Sequence, residues 1–305
     1  MTYEPMLATP WPSPFDDPDW GFELKWDGVR ALAYSDGTRL RLRSRNDNDL
    51  SGRYPSIAGL ALPPGVYDGE VIAVDQDGRP SFEQLARAGR EEIDVQFVVF
   101  DVLESDGVPV LDRTLIDRRQ ILAGLIAATP VTLNDLQIGE GLGLFSVIRD
   151  SGLEGMVAKK LESGYEPGRR SGAWRKVLNL RTVRCVVGGY TRSEVGEAFS
   201  ALLVGLISET GLRYIGRVGS GFSNADRQAI RAAIDEMVAP DPFSPDPDLP
   251  DGVFCAPHLV AHVQYRMWTA AGRLRGPVFK GFGSEPVEAI TWEAEGPDSS
   301  MSASA

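Results

Sequence analysis

Cysteine and histidine are scarce in this chain of 305 residues, which contains only Cys185, Cys255, His258 and His262. The two cysteines are far apart in sequence and stand in no metal-ligand spacing, so we expect both to pack in a core in the reducing cytoplasm. Two histidines leave little room for a histidine-based catalytic triad or a zinc site. The candidate chemistry must therefore be carried by other residue types.

Long apolar runs and an excess of basic residues are also missing. No stretch approaches the eighteen or more apolar residues of a membrane span, and residues 1–18 lack the basic and apolar regions of a signal peptide. The formal net charge is -12, which argues against indiscriminate binding of nucleic acid. It leaves room for a local basic surface. We expect a cytoplasmic protein.

The composition is that of a globular protein, with 43% hydrophobic and 24% charged residues. Since 305 residues are many for one core, two domains are expected. The pattern changes near residue 182, from mixed strands and helices to short strands with Gly-bearing turns. We predict an α+β fold with a first domain at 1–181, a second at 182–293 and a disordered tail at 294–305, which is mostly Gly, Ser, Asp and Ala.

The chain is organised around residues 22–30, in which Lys25 ends a short apolar strand before a Trp-Asp-Gly turn. Lysine has an ordinary pKa of about 10.4 and becomes a nucleophile only where its charged form is disfavoured. Gly28 allows the backbone to approach a ligand closely there. Taken alone, this segment is equally compatible with a surface lysine beside an ordinary turn. The segments that follow decide between the two interpretations.

Several later strands carry charges in apolar surroundings. Glu70 lies within the strand at 66–74 and Asp101 within the strongly apolar strand at 95–103. A carboxylate in such a place needs a cation or a metal as its partner. The strand that follows Glu154 also ends in charged residues.

Two groups of cations form the basic surface that the net charge hides. Residues 39–43 alternate arginine with leucine, as in a half-buried strand whose other face is basic. A second group surrounds the loop at 169–184, with Arg169, Arg170, Arg175, Lys176, Arg181 and Arg184. Either group is a solvated face or a wall that contacts phosphates, and the sequence alone leaves both interpretations open.

The second domain is predicted to be a small β-barrel. Five strands are expected, at 185–190, 200–207, 212–218, 259–268 and 276–282. One helix at 223–237, opened by a serine cap, separates the third and fourth strands. Five short strands, one helix and Gly-rich corners are typical of an OB-fold barrel.

Together these segments resemble the ATP-dependent DNA ligases of the covalent nucleotidyltransferase superfamily, most of all the ligase module of bacterial end-joining ligases. The motifs that carry the resemblance occur in the family's order: Lys25-Trp26-Asp27-Gly28-Val29-Arg30, Ser44-Arg45-Asn46 with Tyr54-Pro55, Asp68-Gly69-Glu70, Val99-Phe100-Asp101, Glu154-Gly155-Met156-Val157-Ala158-Lys159, Trp174-Arg175-Lys176, and Arg275-Gly276-Pro277-Val278-Phe279-Lys280-Gly281. The resemblance covers residues 22–282. It implies an ATP-grasp-like nucleotidyltransferase domain of antiparallel sheets with helices, followed by an OB-fold barrel.

The resemblance also implies a role for each site residue. Lys25 would attack the ATP α-phosphate and form lysyl-AMP, with AMP then passing to the 5′-phosphate of a nick. The other implied roles are adenine recognition by Glu23, Leu24, Phe100 and either Met156 or Val157; ribose contact by Arg30 and Glu70; phosphate or DNA-end contact by Arg45; binding of Mg²⁺ or Mn²⁺ by Glu70 and Glu154; α-phosphate contact by Lys159 and Lys176; and nucleotide contact by Arg275.

The partners implied are nicked or broken double-stranded DNA and a DNA end-binding or repair protein, engaged by a monomer associated with the nucleoid. Two positions depart from the family pattern. Leu178 replaces a second lysine, which implies a slow ligase, and Gly276 stands where a histidine or aromatic residue is more usual. The competing interpretation is a ligase-like DNA-binding or scaffold protein with impaired catalysis. RNA ligases and capping enzymes share the nucleophile motif, whereas Ser44-Arg45-Asn46 favours the DNA ligases.

Overall fold

The computed structural model describes residues 2–297 except 76, 77, 79, 194, 195, 197 and 246. The chain divides into two compact units between Asn179 and Leu180, two residues before the predicted boundary. In the described residues, no helix is both long and apolar enough to cross a membrane.

The first unit is built mainly of strands. They are Leu7–Pro10 (β1), Asp17–Leu24 (β2), Val29–Ser35 (β3), Leu40–Ser44 (β4), Gly65–Ala73 (β5), Val95–Ser105 (β6), Val108–Pro109 (β7), Thr132–Leu133 (β8), Gln137–Gly139 (β9), Gly155–Lys160 (β10) and Arg170–Leu178 (β11). Its helices are Pro55–Ala58 (α1), Phe82–Arg87 (α2), Leu115–Ile126 (α3) and Gly141–Asp150 (α4).

These strands form two sheets. The first has the order β1-β11-β10-β2-β9 and is antiparallel except where β1 pairs with β11. The second has the order β4-β3-β5-β6-β7, with β8 parallel to β6. The largest hydrophobic core of the first unit lies between this second sheet and helices α1 to α3. The alternation seen in the sequence is confirmed in β4, where Leu40 and Leu42 are buried and Arg41 is exposed.

The meeting of β2, β3 and β10 fixes the position of Lys25. The Lys25 backbone N–H donates to the Gly155 carbonyl at 2.9 Å, so the lysine is held beside the start of β10. At Gly28 a side chain has no room, since a Cβ there would lie 2.3 Å from the Val71 carbonyl oxygen. The glycine of the turn is thus required by close packing against β5.

The predicted need of Asp101 for a cation is confirmed. Asp101 and Arg118 of α3 are both fully buried and form a two-pronged ion pair, with N–O distances of 2.7 and 2.9 Å. The remaining Arg118 nitrogen donates to the carbonyls of Arg113 and Ser163. This pair fastens α3 to strand β6.

The second unit contains the predicted five-stranded sheet. Its elements are Arg181–Thr191 (β12), Ala201–Ser208 (β13), Gly211–Val218 (β14), Asn224–Asp235 (α5), Gly252–Tyr265 (β15), Met267–Trp268 (β16), Leu274–Arg275 (β17), Val278–Gly283 (β18), the short 3₁₀ turn Val287–Ala289 and Trp292–Glu295 (α6). The main sheet has the order β14-β13-β12-β15-β18 and is wholly antiparallel.

This sheet curls toward closure. The backbone carbonyl of Ser220, just after β14, accepts a hydrogen bond of 2.9 Å from the Phe279 N–H of β18. The two edge strands of the sheet therefore approach each other. Cys185 and Cys255 are buried and unpaired in its core, as predicted. The sheet and its capped helix α5 confirm the OB-like fold.

The predicted start of the disordered tail at residue 294 is wrong. Residues 294 and 295 belong to α6, whose N-cap Thr291 accepts from the Ala294 N–H at 3.2 Å. Glu295 is held by the backbone and guanidinium of Arg184. The order of this segment comes from an ion pair with a strand more than a hundred residues earlier. Residues 298–305 lie outside the described part.

Candidate active site

A cavity of about 240 Å³ in the first unit brings together most of the predicted site residues. Those that line it are Glu23, Leu24, Lys25, Arg30, Arg45, Glu70, Phe100, Val157, Lys159 and Lys176. Glu154 is bonded to Lys25 of this wall. Pro5, Leu7 and Ala8 of the N-terminal segment also line the cavity.

At one part of the cavity Lys25 faces two carboxylates. Its Nζ lies 2.5 Å from Glu154 Oε2, and its side chain is 26% exposed whereas that of Glu154 is 4% exposed. Glu70 is near both groups: burial raises its pKa to about 8, against the opposing charges of Arg30 and Lys25, with further increases from Glu154 and Asp68. A protonated or cation-bound Glu70 is therefore favoured.

A second part of the cavity contains a buried acid–base pair. Lys159 Nζ lies 2.7 Å from Glu23 Oε2, and both side chains are 2% exposed. Arg119 approaches Glu23 Oε1 at 3.4 Å. Glu23 Oε1 accepts no hydrogen bond from a described protein group. Burial raises the pKa of Glu23, against the charges of Lys159 and Arg119, and burial lowers the pKa of Lys159, against that of Glu23.

Aromatic rings surround the Lys159 ammonium, which lies 4.4 Å from the ring centre of Phe100 and 4.2 Å from that of Trp174. The sequence prediction placed Lys159 at the α-phosphate. The structure places its ammonium between these rings and the Glu23 carboxylate, while Lys25 contacts Glu154. Of the two residues that the sequence left open, Val157 lines the cavity and Met156 is fully buried in a separate core.

Arg30 is held by a buried network that sequence reasoning missed. Asp68, fully buried, accepts two hydrogen bonds from Arg30, at 2.7 and 2.5 Å, and one from the Tyr165 hydroxyl at 2.6 Å. The same hydroxyl accepts from the Met6 N–H at 2.9 Å, and the Met6 carbonyl accepts from Arg30 at 3.1 Å. The network ties the N-terminal segment to the cavity wall.

Asn134 is a second residue that sequence reasoning missed. Its side chain accepts from Trp26 Nε1 at 2.8 Å and donates to the Leu24 carbonyl at 3.1 Å and to Glu23 Oε2 at 3.3 Å. It therefore fixes both sides of the Lys25 segment. In the sequence it lies in an ordinary Asn-Asp pair after a short strand, and nothing local distinguishes it.

The two departures from the family pattern have different structural settings. Lys176 lines the cavity, but Leu178, two residues further on β11 and paired with Gly155, is half-buried and is not part of the lining. Gly276 has a φ of 61°, the left-handed region in which a side chain is disfavoured. Its neighbour Arg275 belongs to the second unit and contacts Met267 Sδ at 3.8 Å.

A lysine beside two carboxylates, a buried polar slot flanked by an aromatic ring, and a separate OB-like unit define a covalent nucleotidyltransferase. Residues 5–177 match the family described as "ATP dependent DNA ligase domain", and residues 195–285 match "ATP dependent DNA ligase C terminal region". The chain belongs to the ATP-dependent DNA ligase family.

Curated relatives and a solved structure agree with this assignment. The "Multifunctional non-homologous end joining DNA repair protein LigD" of Mycobacterium tuberculosis H37Rv is 38% identical over 276 residues, covering 86% of this chain and 36% of that protein. The "SPbeta prophage-derived DNA ligase-like protein LigB" of Bacillus subtilis 168 is 29% identical over 287 residues, covering 92% of this chain and 99% of that protein. The structure described as "mycobacterial DNA ligase D complexed with ATP and MES" is 33% identical, with a TM-score of 0.58 over 95% of this chain and 98% of that chain.

The LigD proteins are longer than the part that matches. This chain spans 35% of the length of the Pseudomonas aeruginosa LigD and 40% of that of Mycolicibacterium smegmatis.

Proposed function

We propose that this protein seals nicks in double-stranded DNA through a lysyl-AMP intermediate and an adenylated 5′-phosphate. The observation that carries the proposal is the Lys25 amine, held beside Glu154 in a cavity whose other part offers a buried, incompletely bonded carboxylate to a base. A pocket with polar groups at both ends suits a nucleotide, which is polar at its base edge and at its phosphates.

In the first step the Lys25 nitrogen attacks the ATP α-phosphorus. The new N–P bond replaces the P–O bond to pyrophosphate, and the leaving pyrophosphate takes up the proton that the bonded nitrogen then loses. Glu154 Oε2, 2.5 Å away, is the nearest group that can accept a proton from the ammonium form. Lys176 and Arg45, which line the cavity, would neutralise phosphate charge, so catalysis consists largely of positioning and electrostatic stabilisation.

Glu23 and Lys159 would recognise the adenine edge, which revises the role given to Lys159 by resemblance. Glu23 Oε1 is an acceptor without a hydrogen-bond donor, and adenine presents an amino group that can donate to it. Lys159, whose Nζ lies 2.7 Å from Glu23 Oε2, fixes the Glu23 carboxyl group in place. Phe100 and Val157 would cover the flat faces of the base, the contact that aromatic bases favour.

Arg30 and Glu70 would contact the ribose. Because Asp68 and Tyr165 fix the Arg30 guanidinium, it is oriented before the nucleotide enters.

Glu70 and Glu154 also fit a magnesium or manganese ion. The charge of Glu154 adds to the rise in the pKa of Glu70, an effect that a cation between the two carboxylates would offset. The described residues contain no group of three or more His, Cys, Asp or Glu that could hold a metal, so this pair would need the substrate phosphates and water as further ligands. Mg²⁺ is usually held by one or two carboxylates together with substrate phosphates and water, which matches such a pair. When bound, the ion would offset the negative charge of the phosphates.

The names of the LigD relatives include non-homologous end joining and DNA repair. We therefore assign the sealing activity to DNA repair or end joining in the cytoplasm, at the nucleoid, by a monomer acting with a DNA end-binding protein. The contact of Arg275 with the nucleotide stays a prediction.

Nick sealing tests the proposal directly. The protein, ATP and Mg²⁺ or Mn²⁺ are incubated with a nicked DNA duplex, and with a matched duplex whose 3′ strand is RNA. We expect sealing of the DNA nick and transfer of AMP to its 5′-phosphate. Labelling of the protein without sealing of either duplex would contradict a ligase. Preferential sealing of the RNA strand would indicate an RNA ligase instead.

The second candidate function, a ligase-like scaffold with impaired catalysis, rests on Leu178. Strand alternation directs Leu178 to the same side as Lys176. A lysine at this position would add a charge-assisted contact of about 1.5–3 kcal/mol near the phosphates. We therefore expect Leu178→Lys to accelerate single-turnover adenylation by roughly tenfold or more.

Leu178→Met is the control for this variant, because it keeps an apolar side chain of similar volume and should leave the rate unchanged. If Leu178→Lys gives no gain in rate and a lower Tm, the leucine has a packing role and the family's second lysine is not needed here.

The revised role of Lys159 gives a separate prediction. Lys159→Met should raise the KM for ATP and weaken the preference for ATP over purine riboside triphosphate, which lacks the amino group. Loss of a hydrogen bond to a charged group corresponds to roughly ten- to a hundredfold. The two triphosphates are compared in single-turnover labelling at saturating and subsaturating concentrations.

Lys160→Met is the matched control, since Lys160 is the exposed neighbour on the opposite face of β10. If Lys159→Met leaves the KM and the base preference unchanged but slows labelling at saturation, Lys159 contacts the α-phosphate, as the resemblance implied.

A further inference from the structure

The second unit has a cavity of its own, of about 410 Å³, which no part of the proposed mechanism uses. It lies where the β13–β14 turn, the turn between β16 and β17, and the start of α6 meet. Its most notable side chains are two arginines, Arg213 of β14 and Arg273 of the turn before β17.

Each arginine places its guanidinium group over an aromatic ring. The Arg213 guanidinium carbon lies 3.6 Å from the ring centre of Trp292, and that of Arg273 lies 4.4 Å from the ring centre of Tyr214. The rings are themselves fixed, because Trp292 packs edge-on against Trp268 at 5.7 Å and Tyr214 against Phe243 at 5.2 Å. The two guanidinium groups are thus held in place by rings that give them no opposite charge.

Neither arginine forms an ion pair with a carboxylate in the described part of the chain. The two cations also act on each other: burial lowers the pKa of Arg273, and the charge of Arg213 lowers it further, against the effect of Tyr214. Two guanidinium groups fixed in one cavity, neither of them ion-paired with a carboxylate, can bind an anion, and their planar N–H groups match the oxygens of a phosphate.

The remaining polar lining limits which phosphate fits. Glu209 and Glu293 are exposed residues of the same cavity, so its four charged side chains sum to zero. A free polyphosphate with three or four negative charges would be repelled by these carboxylates. A phosphodiester carries a single charge, and the hydroxyls of Ser208, Thr210 and Ser244 offer further donors around it.

We propose that Arg213 and Arg273 together bind one phosphodiester of the DNA backbone, at a site on the second unit. The proposal rests on the proposed function insofar as it takes the ligand to be DNA. One face of each ring is occupied by a guanidinium, so the site contacts the backbone and is independent of base sequence.

The experiment measures binding of the full chain to a labelled nicked duplex over a range of salt concentrations, for Arg213→Gln, Arg273→Gln and the double variant. Binding at about 0.15 M salt should weaken about tenfold. The slope of log K against log salt should become less steep by about 0.9, the value for one phosphate contact. Because both arginines hold the same phosphate, the double variant should lose little more than either single variant.

Two kinds of variant serve as controls. Arg231→Gln removes the same charge from α5, where Arg231 pairs with Asp235 at 3.3 Å, and should keep the slope. Arg213→Lys and Arg273→Lys keep the charge, so they should retain most of the slope while they lose affinity. The Tm of each variant is also measured, so that loss of the phosphate contact can be distinguished from misfolding. Equal losses in Arg231→Gln and the cavity variants, or no loss in either, would overturn the proposal.

Inorganic phosphate and pyrophosphate are titrated in parallel, with the Tm as the measure of binding. If these ions stabilise the wild type but not the double variant, and the DNA slope is unchanged, the site takes a free phosphate and the proposal is wrong. Labelling of Lys25 by ATP should be unaffected in all variants of Arg213 and Arg273. If the wild-type protein is never labelled, the proposed function is wrong. The result on DNA binding by Arg213 and Arg273 would not depend on that outcome.

Discussion

Lys25→Ala should abolish formation of the covalent adenylate. The Lys25 amine is the nitrogen that Glu154 holds at 2.5 Å in the cavity, and the other lysine deep in this wall, Lys159, is already engaged by Glu23. Without the nucleophile there is no N–P bond to form, so the loss should be limited only by the sensitivity of the assay. The measurement is incubation with α-labelled ATP and Mg²⁺, followed by denaturing electrophoresis.

Lys160→Ala is the matched control, because it removes an exposed lysine from the same unit and should be labelled like the wild type. Lys25→Ala should also still seal a nick whose 5′-phosphate already carries AMP, since that step needs no lysine nucleophile. Labelling of Lys25→Ala at the wild-type level would mean that another residue carries the AMP.

Of the substitutions proposed for this protein, Asp101→Asn should lower the free energy of unfolding most. The substitution leaves Arg118, which is fully buried, without its carboxylate partner. Removing one partner of a buried ion pair costs about 3–5 kcal/mol, because the other charge remains desolvated and unpaired. For a unit of this size each kcal/mol lowers the Tm by roughly 2–4 °C, so a fall on the order of 10 °C is expected in a thermal melt.

Asp94→Asn is the control for this variant. It makes the same chemical change at an exposed position just before β6 and should leave the Tm within a degree or so. Equal melting points for the two variants would show that the Asp101–Arg118 pair contributes no net stability. The double variant Asp101→Asn with Arg118→Met should recover part of the loss, because no unpaired charge remains.

The class of the protein and the position of its nucleophile could be predicted from the amino-acid sequence alone. Residues 22–30 form a strand, a close-packed glycine turn and a second strand from local pattern alone, and Lys25 lies in the cavity accordingly. The alternation of β4 and the five strands of the second unit were predicted for the same reason. Periodicity and turn residues are local properties, so they can be recognised without knowing the fold.

The partners of the charged residues could not be predicted in this way, because they come from distant parts of the chain. Lys159 contacts Glu23, 136 residues earlier in the chain, and this changes the part of the nucleotide that it is proposed to meet. Asn134 and Tyr165 lie in segments without a distinguishing pattern, yet each joins elements on which the cavity depends. Gly276, read as a departure from the family, is set by a backbone in the left-handed region. The physical reason is common to these cases: a residue's type determines which partner it needs, and only packing determines which distant group supplies it.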